Sequence, residues 1–279
     1  MRRLTVARGM GGTILLALLV GLILAFLAIP LVALFAETPL RELPTLLRDP
    51  TVVDAITVTA TANIAANLII VVIGTPAAYL LATRRFRGRS AVITLLELPL
   101  VLPPAVAGVG LLAAYGRFGL VGSTLDAYGV LIPFSTFAVV LAITFVAAPY
   151  YLRGAIAAFE AVDPSLVSAG RTLGAGPRRA FVTIALPLAA SGLIAGWALS
   201  FARGVGEFGA TLLFAGNIQG VTQTLSLAIY DEFEGTFSIA LAISVILLVF
   251  SAGVLIAAKL VPAWAPSTST SRSLSATSP

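Results

Sequence analysis

Few side chains in this sequence are suited to chemistry, and their spacing says which kind. Arg203 and Glu207 stand four residues apart in a long apolar run, so on a helix they share a face. A charge near the centre of a bilayer costs about 2.5–3.5 kcal/mol. The two are therefore expected to pair, and to border a polar pathway rather than lipid. Gly204, Gly206 and Gly209 flank them and allow close helix approach and bending. Glu97 is a second acid in an apolar stretch, read either as buried or as snorkelling to the headgroups. Pro99, Pro103 and Pro104 follow it; they free backbone carbonyls and kink a helix, which makes that stretch an expected pathway wall. Thr211, Asn217 and Gln219 offer uncharged polar groups that can replace water around an anion. Asn63 and Asn67, also four apart, read as interhelical hydrogen-bonders.

Enzymatic chemistry finds little support. The chain has no His and no Cys, which removes the commonest general base and any thiolate metal site. There are no paired acids at catalytic spacing, so an intramembrane enzyme is the weakest class and no metal site is expected. There is no G-x4-G-K-[ST] phosphate loop, and the only Lys is Lys259. No cofactor is expected on this chain. Energy for moving an ion uphill must come from a partner ATPase, which would carry ATP and Mg, or from an ion gradient.

The elements that must hold these residues are membrane helices. Of 279 residues, 59% are apolar and 10% charged, and the mean hydropathy is +1.05. Soluble domains are about a quarter charged, so a water-soluble fold and a disordered chain are both excluded. The net charge of +5 lies in short clusters rather than one patch, which argues against nucleic acid. A spanning helix needs about 20 apolar residues. Six stretches qualify: 13–36, 55–83, 91–114, 130–152, 180–214 and 238–261. The expected fold is all-α integral membrane, with an N-terminal segment at 1–12, a six-helix domain at 13–262 and a disordered Ser/Thr-rich tail at 263–279. The first run is too long for a signal peptide and reads as an uncleaved span.

Basic residues give the orientation. With the N-terminus inside, the inner segments hold Arg2, Arg3, Arg8, Arg84, Arg85, Arg87, Arg89, Arg153, Arg171, Arg178, Arg179, Lys259 and Arg272. The outer segments hold only Arg41, Arg48 and Arg117. Cytoplasmic loops carry the excess of Lys and Arg, so both termini are expected in the cytoplasm of a multi-pass plasma-membrane protein.

The loop at 153–179 is more than a connection. Asp163-Pro164 is a helix start, with Asp as N-cap and Pro at the first position. Gly174 and Gly176-Pro177 form a stop. Leu166, Val167, Ala169, Gly170 and Leu173 give the helix between them one small apolar face. That face either rests on the membrane or docks a soluble partner.

This loop resembles that of the permease subunits of ATP-binding-cassette importers, which carry the pattern E-A-A-x3-G-x9-I-x-L-P. Here Ser168-Ala169-Gly170 is followed by Gly174 and then by Ile184-Ala185-Leu186-Pro187. Ser168 replaces the Glu and Gly170 the second Ala. Ala202 to Ile218, with Gln223 to Tyr230, is similar to the fifth-span region of molybdate permeases, and less so to sulfate and tungstate permeases. Pro99 to Gly108 fits the same branch. The resemblance implies a homodimer of six-span subunits, two cytoplasmic ATPase subunits docked on the loop, and an external binding protein that delivers a tetrahedral oxyanion. Molybdate is the first expectation; sulfate or tungstate is the alternative. A secondary anion transporter or channel is the competing class. It predicts an ionisable relay, which is poor here, or internal repeats, which are absent from the sequence.

Overall fold

A computed structural model describes residues 10–260, and among them every regular element is helical. The expectations for 1–9 and for the tail at 263–279 lie outside the described residues.

Helix α1 (Met10–Glu37) is apolar all round and packs lightly on the last helix, with none of its most apolar stretch buried. After a single turn, α2 (Leu43–Leu46), α3 runs from Pro50 to Thr83. It starts five residues before the expected span because Asp49 caps it, accepting from the Thr51 N–H at 2.8 Å. At 34 residues it is about 51 Å long, well over the hydrocarbon thickness. Helix α7 (Thr136–Glu160) opens under the Ser135 side chain, and α13 spans Phe237–Leu260.

Two expected spans are interrupted. The third is α4 (Arg89–Val101) and α5 (Pro104–Tyr115), which meet at 114°. Neither half reaches across a bilayer alone. Pro99 is accommodated inside α4, and the break falls at Leu102-Pro103, where the backbone turns extended. The fifth expected span, 180–214, is not one helix. It begins earlier, with α9 (Pro177–Ala180), continues through a π-helical turn (Phe181–Ala185) into α10 (Leu186–Val205), and stops there. A separate helix α11 (Gly209–Ala215) follows, then α12 (Leu225–Glu234), which the apolar pattern did not reveal. Short α6 (Gly122–Ala127) and α8 (Pro164–Thr172) complete the chain. Five helices are long and apolar enough to span, or six where the α4–α5 pair, bent by 114°, counts as one broken span.

The core is the stack of α3, α7 and α10. Small residues let α7 and α10 touch. A Cβ on Gly154 would sit 3.0 Å from the Gly196 Cα, and one on Gly192 would sit 2.6 Å from the Ala158 Cβ. Gly192 and Gly196 form a G-x3-G pair, a device suited to lipid, where apolar contact alone does not hold helices together. Polar links reinforce the stack: Ser200 donates to the Ala147 carbonyl at 3.0 Å, and the Asn63 amide donates to the Phe201 carbonyl at 3.2 Å. Asn67 departs from expectation. Its amide bonds back to Asn63 on the same helix.

Candidate functional site: a loop helix and an interrupted span

Helix α8 forms as its residues dictate. Asp163 accepts from the Ser165 N–H at 2.8 Å, and this holds its carboxyl below the usual carboxylate range. Pro164 occupies the first turn, where its missing N–H costs nothing. Gly174 closes the helix at φ +88°, a conformation that strains any side chain bearing a Cβ. The Gly174 N–H reaches the Arg171 carbonyl and the Ala175 N–H the Gly170 carbonyl, each at 3.0 Å, the paired bonds of a Schellman cap.

The expected single apolar face is divided. Val167 and Gly170 turn inward; Val167 packs on the core, and a Cβ on Gly170 would meet the Ile184 Cδ1 at 2.2 Å. Leu166, Ala169 and Leu173, spaced three and four apart, share the outer face, with Leu173 89% exposed. Tertiary packing makes this division, since α8 lies against the π-helical turn rather than free in solvent. The turn has its own local cause. Pro187 cannot donate to the residue four before it, and the wider π turn just ahead absorbs the mismatch before Leu186-Pro187 opens α10. Thus Gly170 fits because Ile184 fills the space of its missing methyl, and Ser168, in place of the Glu, turns its hydroxyl back to the Pro164 carbonyl at 2.9 Å.

At the other end of α10 lies the second group. Arg203 Nη2 is 2.6 Å from Glu207 Oε2, with Glu207 1% exposed and Arg203 24%. This is a charge contact without an aligned hydrogen bond. The other Glu207 oxygen accepts the Ala210 N–H at 2.8 Å, so the carboxylate caps α11. The expected ion pair is present, and its acid has a second role that spacing did not reveal. The neighbouring glycines serve approach. A Cβ on Gly204 would fall 2.1 Å from the Asn63 Oδ1, and one on Gly209 2.8 Å from the Pro104 Cβ; Gly206 keeps an ordinary φ of −88°.

Gly209 against Pro104 brings the two interruptions together. Gly108 extends the contact, its would-be Cβ 2.9 Å from the Ala210 carbonyl oxygen. Of six buried side-chain polar atoms without a hydrogen-bond partner among the described residues, five lie between Glu207 and Thr224: Glu207 Oε2, Thr211 Oγ1, Asn217 Oδ1, Gln223 Oε1 and Thr224 Oγ1. Buried polar groups are normally paired, so this stretch is the polar interior of the bundle. Thr211 and Asn217 belong to it. Gln219 does not; it is exposed and donates to Asp54 at 3.1 Å. Gln223 and Thr224 were missed, although a Gln-Thr step ahead of an amphipathic helix is a usable signal. Glu97 is half-buried and stands 3.8 Å from Arg153, so it is no isolated interior acid. Pro103 and Pro104 stand at the break; Pro99 stands one turn away from it.

Spanning helices around a polar interior, with a membrane-edge helix fixed to one of them, define a multi-pass transport subunit. The chain belongs to the family described as binding-protein-dependent transport system inner membrane component, whose profile matches residues 70–263. It is similar to the molybdenum transport system permease protein ModB of Mycobacterium tuberculosis, 43% identical over 232 residues that cover 82% of this chain and 87% of that protein. The Escherichia coli K12 protein of the same name is 45% identical over 158 residues, 56% of this chain and 69% of that protein. In fold it matches a bacterial ABC transporter for the acidic polysaccharide alginate, with TM-score 0.66 at 18% identity, covering 89% of this chain and 94% of that one. The MetNI methionine ABC transporter in an inward-facing conformation gives 0.57 at 20% identity, covering 75% and 93%. The fold is therefore that of ABC importer permeases.

Proposed function

We propose that this chain is the permease subunit of an ATP-driven importer that passes molybdate from an external binding protein into the cytoplasm. Two copies form the pathway, and two ATPase subunits dock on the α8 loops. ATP and Mg belong to the ATPase; this chain binds no cofactor. Both termini lie in the cytoplasm, as the excess of basic residues on the α8 side requires. Molybdate as the cargo is supported by the relatives named as molybdenum permeases.

The observation that carries the mechanism is the two-sided seat of α8. Its inner side is locked to Ile184 through Gly170, and its outer side offers Leu166, Ala169 and Leu173 to a groove on the partner. Ile184 sits in the turn that leads into α10, and α10 is 20 residues, about 30 Å, of helix ending at the Arg203–Glu207 contact. A push on α8 thus has a stiff path to the interruption. There the unpartnered hydroxyls of Thr211 and Thr224, with backbone N–H groups freed at the breaks, can donate to an oxyanion and replace its water without gripping it.

Leu173→Glu tests this reading. In proteoliposomes holding the ATPase and the binding protein, uptake of molybdate is expected to fall at least tenfold, with the variant inserted and thermally stable as the parent. Uptake unchanged in that variant, or uptake in vesicles lacking the ATPase, would overturn it. Sulfate carried as well as molybdate would reassign the cargo.

A further inference from the structure

The side of α8 away from its exposed Leu166, Ala169 and Leu173 covers a cavity of about 850 Å³. Pro164, Val167, Ser168 and Arg171, at helical spacing of three and four, line it from α8. Across it stand Arg84, Arg85 and Arg89, at the end of α3 and the start of α4. Only one acid, Glu160 at the end of α7, is in the wall, and it is already ion-paired with Arg89. Arg89 is held further by donating Nε to the Leu81 carbonyl at 2.6 Å. Arg84, Arg85 and Arg171 have no ion-pair or hydrogen-bond partner for their side chains among the described residues, and they leave an uncompensated charge of three around one void.

The floor of the cavity has a different character. Tyr79 and Phe159 line it with their rings 5.3 Å apart, and Phe181, outside the lining, packs on Tyr79 at 4.7 Å. Leu80, 54% exposed, joins this floor to the lipid-facing side of α3. The helices that surround the cavity all end or begin here, at 83, 89, 160 and 177, so it lies at one end of the bundle. A basic rim over an apolar floor that continues onto the exposed Leu80 of α3 matches a molecule with a phosphate at one end and hydrocarbon at the other.

We propose that this cavity binds the phosphate headgroup of an anionic phospholipid, held by Arg84, Arg85 and Arg171. Basic pockets between helix ends are suited to such headgroups, and each arginine near the surface contributes about a fivefold gain in affinity. The lipid lies beneath α8, on the side away from the exposed face of Leu166, Ala169 and Leu173, so it supports that helix and leaves its outer face free. A phosphate on this rim also lowers the mutual repulsion of the arginines, which otherwise tends to lift α8 away from the α3–α4 turn.

The test is native mass spectrometry of the full-length chain in detergent, with phosphatidylglycerol or phosphatidylcholine of the same acyl chains added. The chain is expected to prefer phosphatidylglycerol at least tenfold. Arg84→Gln/Arg85→Gln/Arg171→Gln together should weaken that binding roughly hundredfold, the product of three such factors. Arg171→Gln alone, on the exposed loop helix, should weaken it about fivefold and guards against misfolding of the triple variant. Arg117→Gln, in the loop after α5, should change nothing. Equal binding of the two lipids, or binding indifferent to Arg171→Gln, overturns the proposal. Displacement of phosphatidylglycerol by millimolar inorganic phosphate would also overturn it, by assigning the cavity to a free anion. No outcome depends on transport.

Discussion

Two short helices of this protein begin under a carboxylate, one in water and one inside the bundle. Asp163 caps α8 and Glu207 caps α11, each accepting a backbone N–H at 2.8 Å. Local chemistry is the same; the surroundings are opposite. Asp163 is fully solvated, so its negative charge costs nothing and its cap stands alone. Glu207 is 1% exposed, and Arg203 lies against it at 2.6 Å. A cap in water thus needs only its own dipeptide, whereas a buried cap also needs a counter-charge, supplied here four residues back by Arg203.

The largest test of this contrast removes the counter-charge. Arg203→Ala leaves a buried carboxylate unpaired and is expected to destabilise the protein by about 3–5 kcal/mol. Arg203→Ala/Glu207→Ala should regain most of that loss, measured as thermal midpoints in detergent. A double-mutant cycle without coupling would break the comparison by showing that Glu207 does not need Arg203.

A smaller effect is expected from adding one methyl beside each helix. At Gly108 the new atom meets the backbone of α11, and Gly108→Ala should cost about 1–3 kcal/mol. At Gly170 it meets the mobile tip of Ile184, and Gly170→Ala should cost less than about 1 kcal/mol. Equal costs at the two positions would mean that α8 is seated as rigidly as α11. The same thermal scans check both.

The smallest effect is in pH. The native Asp163 carboxyl titrates below its ordinary value because the Ser165 N–H favours the charged form. Its contribution to α8 is therefore complete above the ordinary carboxylate range, and is lost as pH falls through the lowered native value. Proteolytic nicking between 163 and 176 should rise only on that acid side, and Asp163→Ala should show the nicking at all pH values. A pH profile unchanged in the variant would remove Asp163 as the cap.

The same division separates what could be read from the chain. The α8 helix was legible because its start, its stop and its left-handed glycine are all local: Asp163-Pro164 and Gly174 act within a few residues. The α4–α5 break was legible because proline carries its own reason to break a helix, although Pro99 shows that proline alone does not choose the spot. The end of α10 was not legible. Arg203 and Glu207 flank the break and Gly204, Gly206 and Gly209 run through it, which marks a place to bend. Gly206 nonetheless has an ordinary φ, and nothing local makes Val205 the last residue. The halt comes from Asn63 against Gly204 and Pro104 against Gly209, contacts between residues about 100 or more positions apart.

Composition and periodicity alone determined that the chain is a helical membrane protein, that a capped helix lies on its basic side, and that Arg203 and Glu207 pair. These follow from transfer energies and from helical spacing, which need no partner element. Tertiary structure alone decided that the apolar face of α8 is split between bundle and solvent. It also decided that two broken spans meet at their breaks, and that four arginines from two segments, 84–89 and α8, surround one cavity. Each of these depends on which surfaces compete for the same space, and that competition exists only once the helices are packed.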